Sequence, residues 1–293
     1  MRKFSFVTVD VFSTRALAGN PVAVFTDARG LADAEMQAVA LETRLSETTF
    51  ISPRDDATER TKGVNVRIFT ISEELPFAGH PALGTAFVIA NARSVNEVAL
   101  DLKVGKIPVV FRQTPDGRFG EMTQRDPEFG KIHDANEVAK AIDLTIDDID
   151  PSMPIQTVST GFAFAIVPLR SLSALAGLQP NLAKVYAYLA TTRASHFYFI
   201  VRDGDGGVPS LRARMMFYGG EDPATGSAAG CTAAWMVRHG VAKPEQEVVI
   251  AQGVEMLRPS DIYVRASLEG TRVHNVRVGG HCAEVMRGEL TIP

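Results

Sequence analysis

Two glycine-rich turns, about half a chain apart, each place an ionisable side chain directly before a proline. They are Phe77-Ala78-Gly79-His80-Pro81-Ala82-Leu83-Gly84 and Glu221-Asp222-Pro223-Ala224-Thr225-Gly226-Ser227-Ala228. A run of small residues follows each turn and reads as a helix opening there, with Pro81 suited to the first helical position. The first N–H groups of a helix have no partner within it and carry the positive end of its dipole. Two such helix starts facing one another would bind a small anion, such as a carboxylate, without a lysine or arginine. Gly79, Gly226 and Ser227 are the candidate substrate-binding residues, with His80 and Asp222 beside them.

Glu47 supplies a third group. In Leu45-Ser46-Glu47-Thr48-Thr49-Phe50 it stands between a predicted helix and the strand that the helix feeds. Flanked by Leu45 and Phe50, its carboxyl would be partly desolvated, which moves a carboxyl pKa up toward the range of a general acid/base. Each residue also has a plainer use. Gly226, Ala229, Gly230 and Ala233, at spacings of three and four, form a small stripe that admits another helix closely. His80 can be a local hydrogen-bonding residue, Asp222 a turn or capping aspartate, and Glu47 a solvated glutamate at a helix end. The recurrence of the turn favours the chemical readings of His80 and Asp222, whereas for Glu47 spacing alone favours the solvated glutamate.

Other chemistries lack their residues. There is no GxGxxG, no P-loop and no HExxH. Gly226-Ser227-Ala228-Ala229-Gly230 places its serine wrongly for a nucleophile elbow. His133, His196, His239, His274 and His281 are scattered without ligand spacing, so neither a metal nor a cofactor is expected. Arg202-Asp203-Gly204-Asp205-Gly206-Gly207 resembles part of a calcium loop without its terminal glutamate, and reads as a hairpin turn. Cys231 and Cys282 form no CxxC pair, which makes a reducing cytoplasm the default.

The elements that must position these groups come in a repeated order. Strands over Phe4 to Phe12 and Val22 to Phe25 are followed by a helix with Asp33 as its N-cap and apolar residues at Met36, Val39, Ala40 and Leu45. Thr48 to Ile51 is the next strand. The second half repeats the order. Strands at 156–161 and 162–167 precede a helix through Leu182, Val185, Tyr186 and Leu189, then a strand over His196 to Val201. The glycine turn and its helix then follow in each half. This is a degenerate two-fold repeat of α+β lobes, and Ser195-His196 stands where the first lobe has its carboxylate. Gln124 to Pro154 reads as a connector, and Val273 to Pro293 as strands crossing back to the first lobe. The expected domains are 1–126, completed by 281–293, and 127–280.

At 293 residues, 45% hydrophobic and 22% charged, the chain reads as a soluble globular protein. Its net charge is −4 and its basic residues are scattered, which argues against nucleic acid. Asp10 ends the N-terminal apolar run too early for a signal peptide. No stretch approaches the roughly eighteen apolar residues of a membrane span.

Along nearly its whole length the chain resembles the PhzF-like family of phenazine-biosynthesis isomerases, whose fold is shared with diaminopimelate epimerase. The resemblance is carried by Val9-Asp10-Val11-Phe12, Gly19-Asn20-Pro21, Ser46-Glu47-Thr48, Gly79-His80-Pro81 with Gly84, and Glu221 through Ala228. It implies an α+β fold of two pseudo-symmetric lobes, each a mixed, mainly antiparallel sheet or open barrel around a central helix. It also implies a cofactor-independent isomerase acting between the lobes, and a homodimer. The family's type reaction isomerises trans-2,3-dihydro-3-hydroxyanthranilate by moving a proton and its double bonds. By the same resemblance Glu47 is the acid/base, His80 and Asp222 hold the substrate's amino or hydroxyl groups, and Ser227 with the backbone at Gly79 and Gly226 grips the carboxylate. The two-thiol chemistry of epimerase relatives does not carry over, because neither turn contains a cysteine. Two departures stand out: Arg44 where the family often has asparagine, and Leu257 where a glycine usually precedes Arg-Pro-Ser. The alternatives are an epimerase or racemase of an amino acid or hydroxyproline-like compound, or a non-catalytic metabolite- or partner-binding protein.

Overall fold

The computed structural model describes residues 1–203, 210–217 and 220–292, so the hairpin expected at 202–207 lies largely outside the described residues. The chain forms two units, Met1–Thr123 with Gly279–Pro293, and Gln124–Val278.

The first unit contains β1 (Arg2–Val11), β2 (Asn20–Phe25), α1 (Asp33–Thr43), β3 (Glu47–Ser52), α2 (Asp56–Lys62), β4 (Val64–Phe69), β5 (Glu74–Leu75), α3 (Gly79–Arg93), β6 (Glu97–Leu102), β7 (Gly105–Thr114) and β8 (Gly117–Thr123). The second contains β9 (Glu128–Ile132), α4 (Ala135–Ala141), β10 (Gln156–Ser159), β11 (Ala163–Pro168), α5 (Leu172–Ala176), α6 (Leu182–Leu189), β12 (His196–Asp203), β13 (Ser210–Arg214), β14 (Met216–Phe217), β15 (Gly220–Glu221), α7 (Gly226–Arg238), β16 (Val248–Gln252) and β17 (Ser260–Glu269). A last strand, β18 (Arg272–Ile292), begins in the second unit and ends in the first.

In the first unit the strand order β1-β2-β3-β4-β6-β7-β8-β18 closes into an eight-stranded barrel, because β18 also pairs antiparallel with β1 from Arg2↔Ile292 to Val11↔Cys282. Closure leaves this sheet no open edge. Helix α3 runs against β1, β2, β3, β6 and β8 and is buried along Gly79 to Phe87. Small residues make that position available. A Cβ at Gly84 would lie 2.7 Å from Val22 Cγ1 and 2.8 Å from Val11 Cγ2, inside any real contact distance. On the other face of the sheet, Ala23, Phe25, Phe50 and Phe69 pack with Met36, Val39 and Ala40 of α1. Alternation along β3 therefore turns Glu47 and Thr49 toward α3 while Phe50 turns away.

The second unit repeats this plan in the order β18-β17-β16-β13-β12-β11-β10-β9. Each unit has two parallel pairs among antiparallel ones, β2–β3 and β4–β6 in the first, β11–β12 and β13–β16 in the second. A parallel pair needs a crossover; α1 and α3 supply the two in the first unit, and α5 with α6, then α7, supply those in the second. The α+β, two-fold repeated fold with a central helix is thus the one observed.

Several local expectations need correction. Gln124 to Pro154 is not a connector: β9 pairs with β10, and Val138, Ala139, Ile142 and Ile149 lie in the core with Phe197, Phe199 and Val201. The N-cap of α1 is Ala32, whose N–H donates to Glu35 Oε2 at 2.8 Å; Asp33 is the first helical residue. Pro81 is the third residue of α3, still within the turn whose N–H groups have no intrahelical partner, and Pro223 lies before α7 altogether. The small stripe of α7 faces the Gln124 side chain at Gly230, and the helix's main neighbours among the described residues are the strands β10, β11 and β17.

Candidate active site

In the first unit the structure brings Glu47 and His80 together. Glu47 opens β3 and His80 is the second residue of α3, and their Oε2 and Nε2 atoms are 3.3 Å apart. The Glu47 side chain is 15% exposed and that of His80 6%, so the solvated-glutamate reading does not describe this carboxyl. Burial lowers the His80 pKa to about 3, against the smaller opposing effect of a hydrogen bond with the Pro21 backbone. The ring is therefore neutral near pH 7. Proline offers only a carbonyl, so the ring nitrogen facing Pro21 carries the hydrogen. Nε2 then presents a lone pair to Glu47, and a hydrogen on Glu47 Oε2 has an acceptor beside it.

The same turn leaves a helix start without a cap. The N-cap of α3 is Ala78, which has no side-chain acceptor, and no acidic residue lies in the first turn. Gly79 is buried as its first residue. A buried helix end without a protein cap is a place for a ligand.

The second unit reaches a similar result by a different route. Thr225 is the N-cap of α7, yet its side chain does not cap. Its hydroxyl donates to Asp222 Oδ2 at 2.8 Å and accepts from Gln252 Nε2 at 2.9 Å. Gln252, fully buried, also accepts from Thr225 N–H (3.0 Å) and from the Tyr198 hydroxyl (2.8 Å), and donates to the Asp222 carbonyl (2.7 Å). Asp222, Gly226 and Ser227 thus gather at the start of α7, with Gly226 buried and Ser227 partly exposed.

Sequence reasoning missed the residues that hold this turn. Arg214, 8% exposed, donates from Nε and Nη2 to the two oxygens of Glu221, each at 2.8 Å, and from Nη1 to the carbonyls of Leu175, Ala176 and Leu178. Gln124 donates to the Gly226 carbonyl (2.9 Å) and accepts from the Thr160 hydroxyl (2.7 Å). The available signal for Gln252 was its neighbour: Gly253, at φ +73°, passes so close to Pro223 that a Cβ would lie 2.6 Å from its carbonyl oxygen.

Burial pushes the Cys231 thiol up to about 11 and the Cys282 thiol further still, so neither is a thiolate near neutral pH. Among the described residues no group of three or more His, Cys, Asp or Glu could hold a metal ion, and no helix is long and apolar enough to cross a membrane.

Both turns lie within a match to a known family. The model of the phenazine biosynthesis-like PhzC–PhzF proteins matches residues 9–288, a span that includes both. The chain belongs to this PhzF-like family. Its members and relatives are isomerases. A trans-2,3-dihydro-3-hydroxyanthranilate isomerase of Pseudomonas aeruginosa is 35% identical over 97% of this chain and 98% of its own. Among solved structures, a PhzF-family phenazine biosynthesis protein of Bacillus anthracis matches with a TM-score of 0.88 at 25% identity, covering both chains completely. A predicted epimerase of Pseudomonas aeruginosa matches with a TM-score of 0.84 at 34% identity, over 99% of this chain and all of that one.

Proposed function

We propose that this PhzF-like isomerase acts without a cofactor on a small, carboxylate-bearing cyclic metabolite of the trans-2,3-dihydro-3-hydroxyanthranilate type. Glu47 takes a proton from one ring carbon and returns it at another, so the double bonds move and the atoms balance. His80 and Asp222 hold the amino or hydroxyl substituents, and Ser227 with the backbone at Gly79 and Gly226 holds the carboxylate. The observation that carries this reading is the buried Glu47 carboxyl, 3.3 Å from a neutral His80 imidazole at an uncapped helix start. Such a carboxyl can exchange a hydrogen with its surroundings without bulk water, as a shuttle must. The 35% identical isomerase supports the substrate class.

The test is turnover of trans-2,3-dihydro-3-hydroxyanthranilate in heavy water. Isomerised product is expected, carrying deuterium at the newly protonated carbon only to the extent that the Glu47 carboxyl exchanges with solvent before it returns the proton; absence of turnover with this compound sinks the proposal.

Epimerisation is the second reading, supported by the 34% identical structure described as a predicted epimerase. The same experiment separates the two, because inversion labels the stereocentre and leaves the double bonds in place. The reading further includes a homodimer, to be checked by light scattering, and a cytoplasmic setting consistent with two unpaired cysteines.

A further inference from the structure

The internal repeat sets His196 where the first unit has Glu47. Glu47 opens β3 and pairs with Val22 of the parallel strand β2; His196 opens β12 and pairs with Phe164 of the parallel strand β11. Two residues further along each strand, the equivalence continues. Thr49 bonds Thr85 of α3 at 2.8 Å, and Tyr198 bonds Gln252, which holds the N–H of the α7 N-cap. Phe197 and Phe199 turn away into the core beneath α4, α5 and α6. His196 therefore shares the strand face of Tyr198, the one turned to α7.

Glu47 meets an imidazole there, whereas His196 meets rings. Phe162, Phe164 and Tyr186 stand edge-on to it, with centroids at 5.8, 6.2 and 5.8 Å. The Phe162 carbonyl accepts from Cys231 Sγ at 3.6 Å, which ties this cluster to the second turn of α7. Two features remain without a structural use. His196 Nδ1 is buried and has no hydrogen-bond partner among the described residues, a costly state for a polar atom. Phe162 leaves 48% of its surface exposed directly beside it. Burial also lowers the His196 pKa, which keeps the ring neutral and able to accept as well as donate.

We infer that His196 and the exposed Phe162, backed by the buried Phe164, form a ring-recognition site in the second unit. The Phe162 ring packs on a cyclic carboxylate while the imidazole hydrogen-bonds a polar substituent of its ring. An apolar wall carrying one fixed polar atom selects a ring of this kind over an open-chain acid. This inference deepens the isomerase reading and rests on it.

The experiment measures binding by calorimetry, with 3-hydroxyanthranilate as the cyclic probe and L-aspartate as the open-chain one. Wild type should prefer the cyclic probe. Phe162→Leu and His196→Phe should each weaken it tenfold or more and leave aspartate within twofold, while His196→Gln, which keeps a hydrogen-bonding group, should stay within threefold of wild type. Phe162 is about half exposed, so its replacement tests the site with little disturbance of the core. Equal binding of the two probes by wild type overturns the inference. So does unchanged cyclic-probe binding in Phe162→Leu and His196→Phe, or an equal loss of both probes in either variant. Turnover is read separately: intact ring selectivity without isomerisation counts against the isomerase reading alone.

Discussion

The carboxyl of Glu47 faces the lone pair of a neutral His80 ring across 3.3 Å, and both groups are largely removed from water. Replacing Glu47 by glutamine keeps the shape and removes the exchangeable acid. Turnover should fall by about 10²–10⁴-fold, the usual contribution of one positioned acid/base. Probe binding and melting temperature should change little. Wild-type turnover by this variant would remove Glu47 from the mechanism.

The pH dependence of stability has a definite sign. Burial lowers the His80 pKa to about 3 and the His133 pKa to about 4, below the ordinary value near 6.5. In that window the unfolded chain binds protons that the folded one refuses. Stability is then fully present above pH 6.5 and declines as pH falls toward 4 and then 3. Each such histidine contributes a slope of at most about 1.4 kcal/mol per pH unit. His133 is held between the Tyr188 hydroxyl (2.9 Å) and the Thr157 hydroxyl (2.8 Å). Urea melts from pH 4.5 to 8 should show the decline, and His133→Gln should flatten it. An unchanged slope would exclude His133 as a source.

Gly230→Ala should be among the most damaging methyl additions in the protein. The new Cβ would overlap the Gln124 carboxamide, which holds both the Gly226 carbonyl and the Thr160 hydroxyl. Overpacking together with lost hydrogen bonds costs roughly 1–3 kcal/mol or more. Chemical denaturation should register it; a loss below about 0.5 kcal/mol would show that Gln124 moves aside freely.

Arg214→Lys tests the fork that holds Glu221, the neighbour of Asp222. A lysine cannot span both carboxylate oxygens and three carbonyls together. Breaking a buried pair of this kind costs about 3–5 kcal/mol when one partner is deleted, so Arg214→Leu should lie in that range and the lysine variant below it. Equal stability for all three proteins would leave the fork without a structural role.

Leu257→Gly should stabilise. Leu257 is 86% exposed at φ +59°, a left-handed conformation that costs a side-chain-bearing residue about 1–2 kcal/mol. Glycine removes that strain and returns about 0.5–1 kcal/mol of it as unfolded-state entropy. A gain of about 0.5 kcal/mol is expected from urea midpoints, and a loss would show that the leucine makes contacts outweighing its backbone strain.

Both departures from the family pattern now have the same physical account. Arg44 caps α1 at φ 53° and ψ 21°, a position that suits asparagine, as the Leu257 position suits glycine. In sequence they stood out as changes near a site, although each concerns backbone geometry. The glycine turns and the order of strands were legible because they depend on local chemistry and alternation, whereas Glu47 stood out as an acid/base only through the family resemblance. The Thr225–Gln252–Tyr198 network and the Arg214 fork were not, because their members lie far apart in sequence and pair only through the fold. Asp33 and Pro81 slipped by one or two positions for a simpler reason: several neighbouring residues suit the first turn of a helix almost equally well.

The barrel of the first unit lacks a stave until β18 has been made. Seven of its eight strands precede Gln124, whereas the eighth, the later part of β18, follows the whole of the second unit. The second unit, a continuous stretch, is therefore fully available before the first can close its edge. During synthesis β1 stays exposed on one side for as long as it takes to translate the second unit, so the slow, long-range step of maturation belongs to the unit begun first.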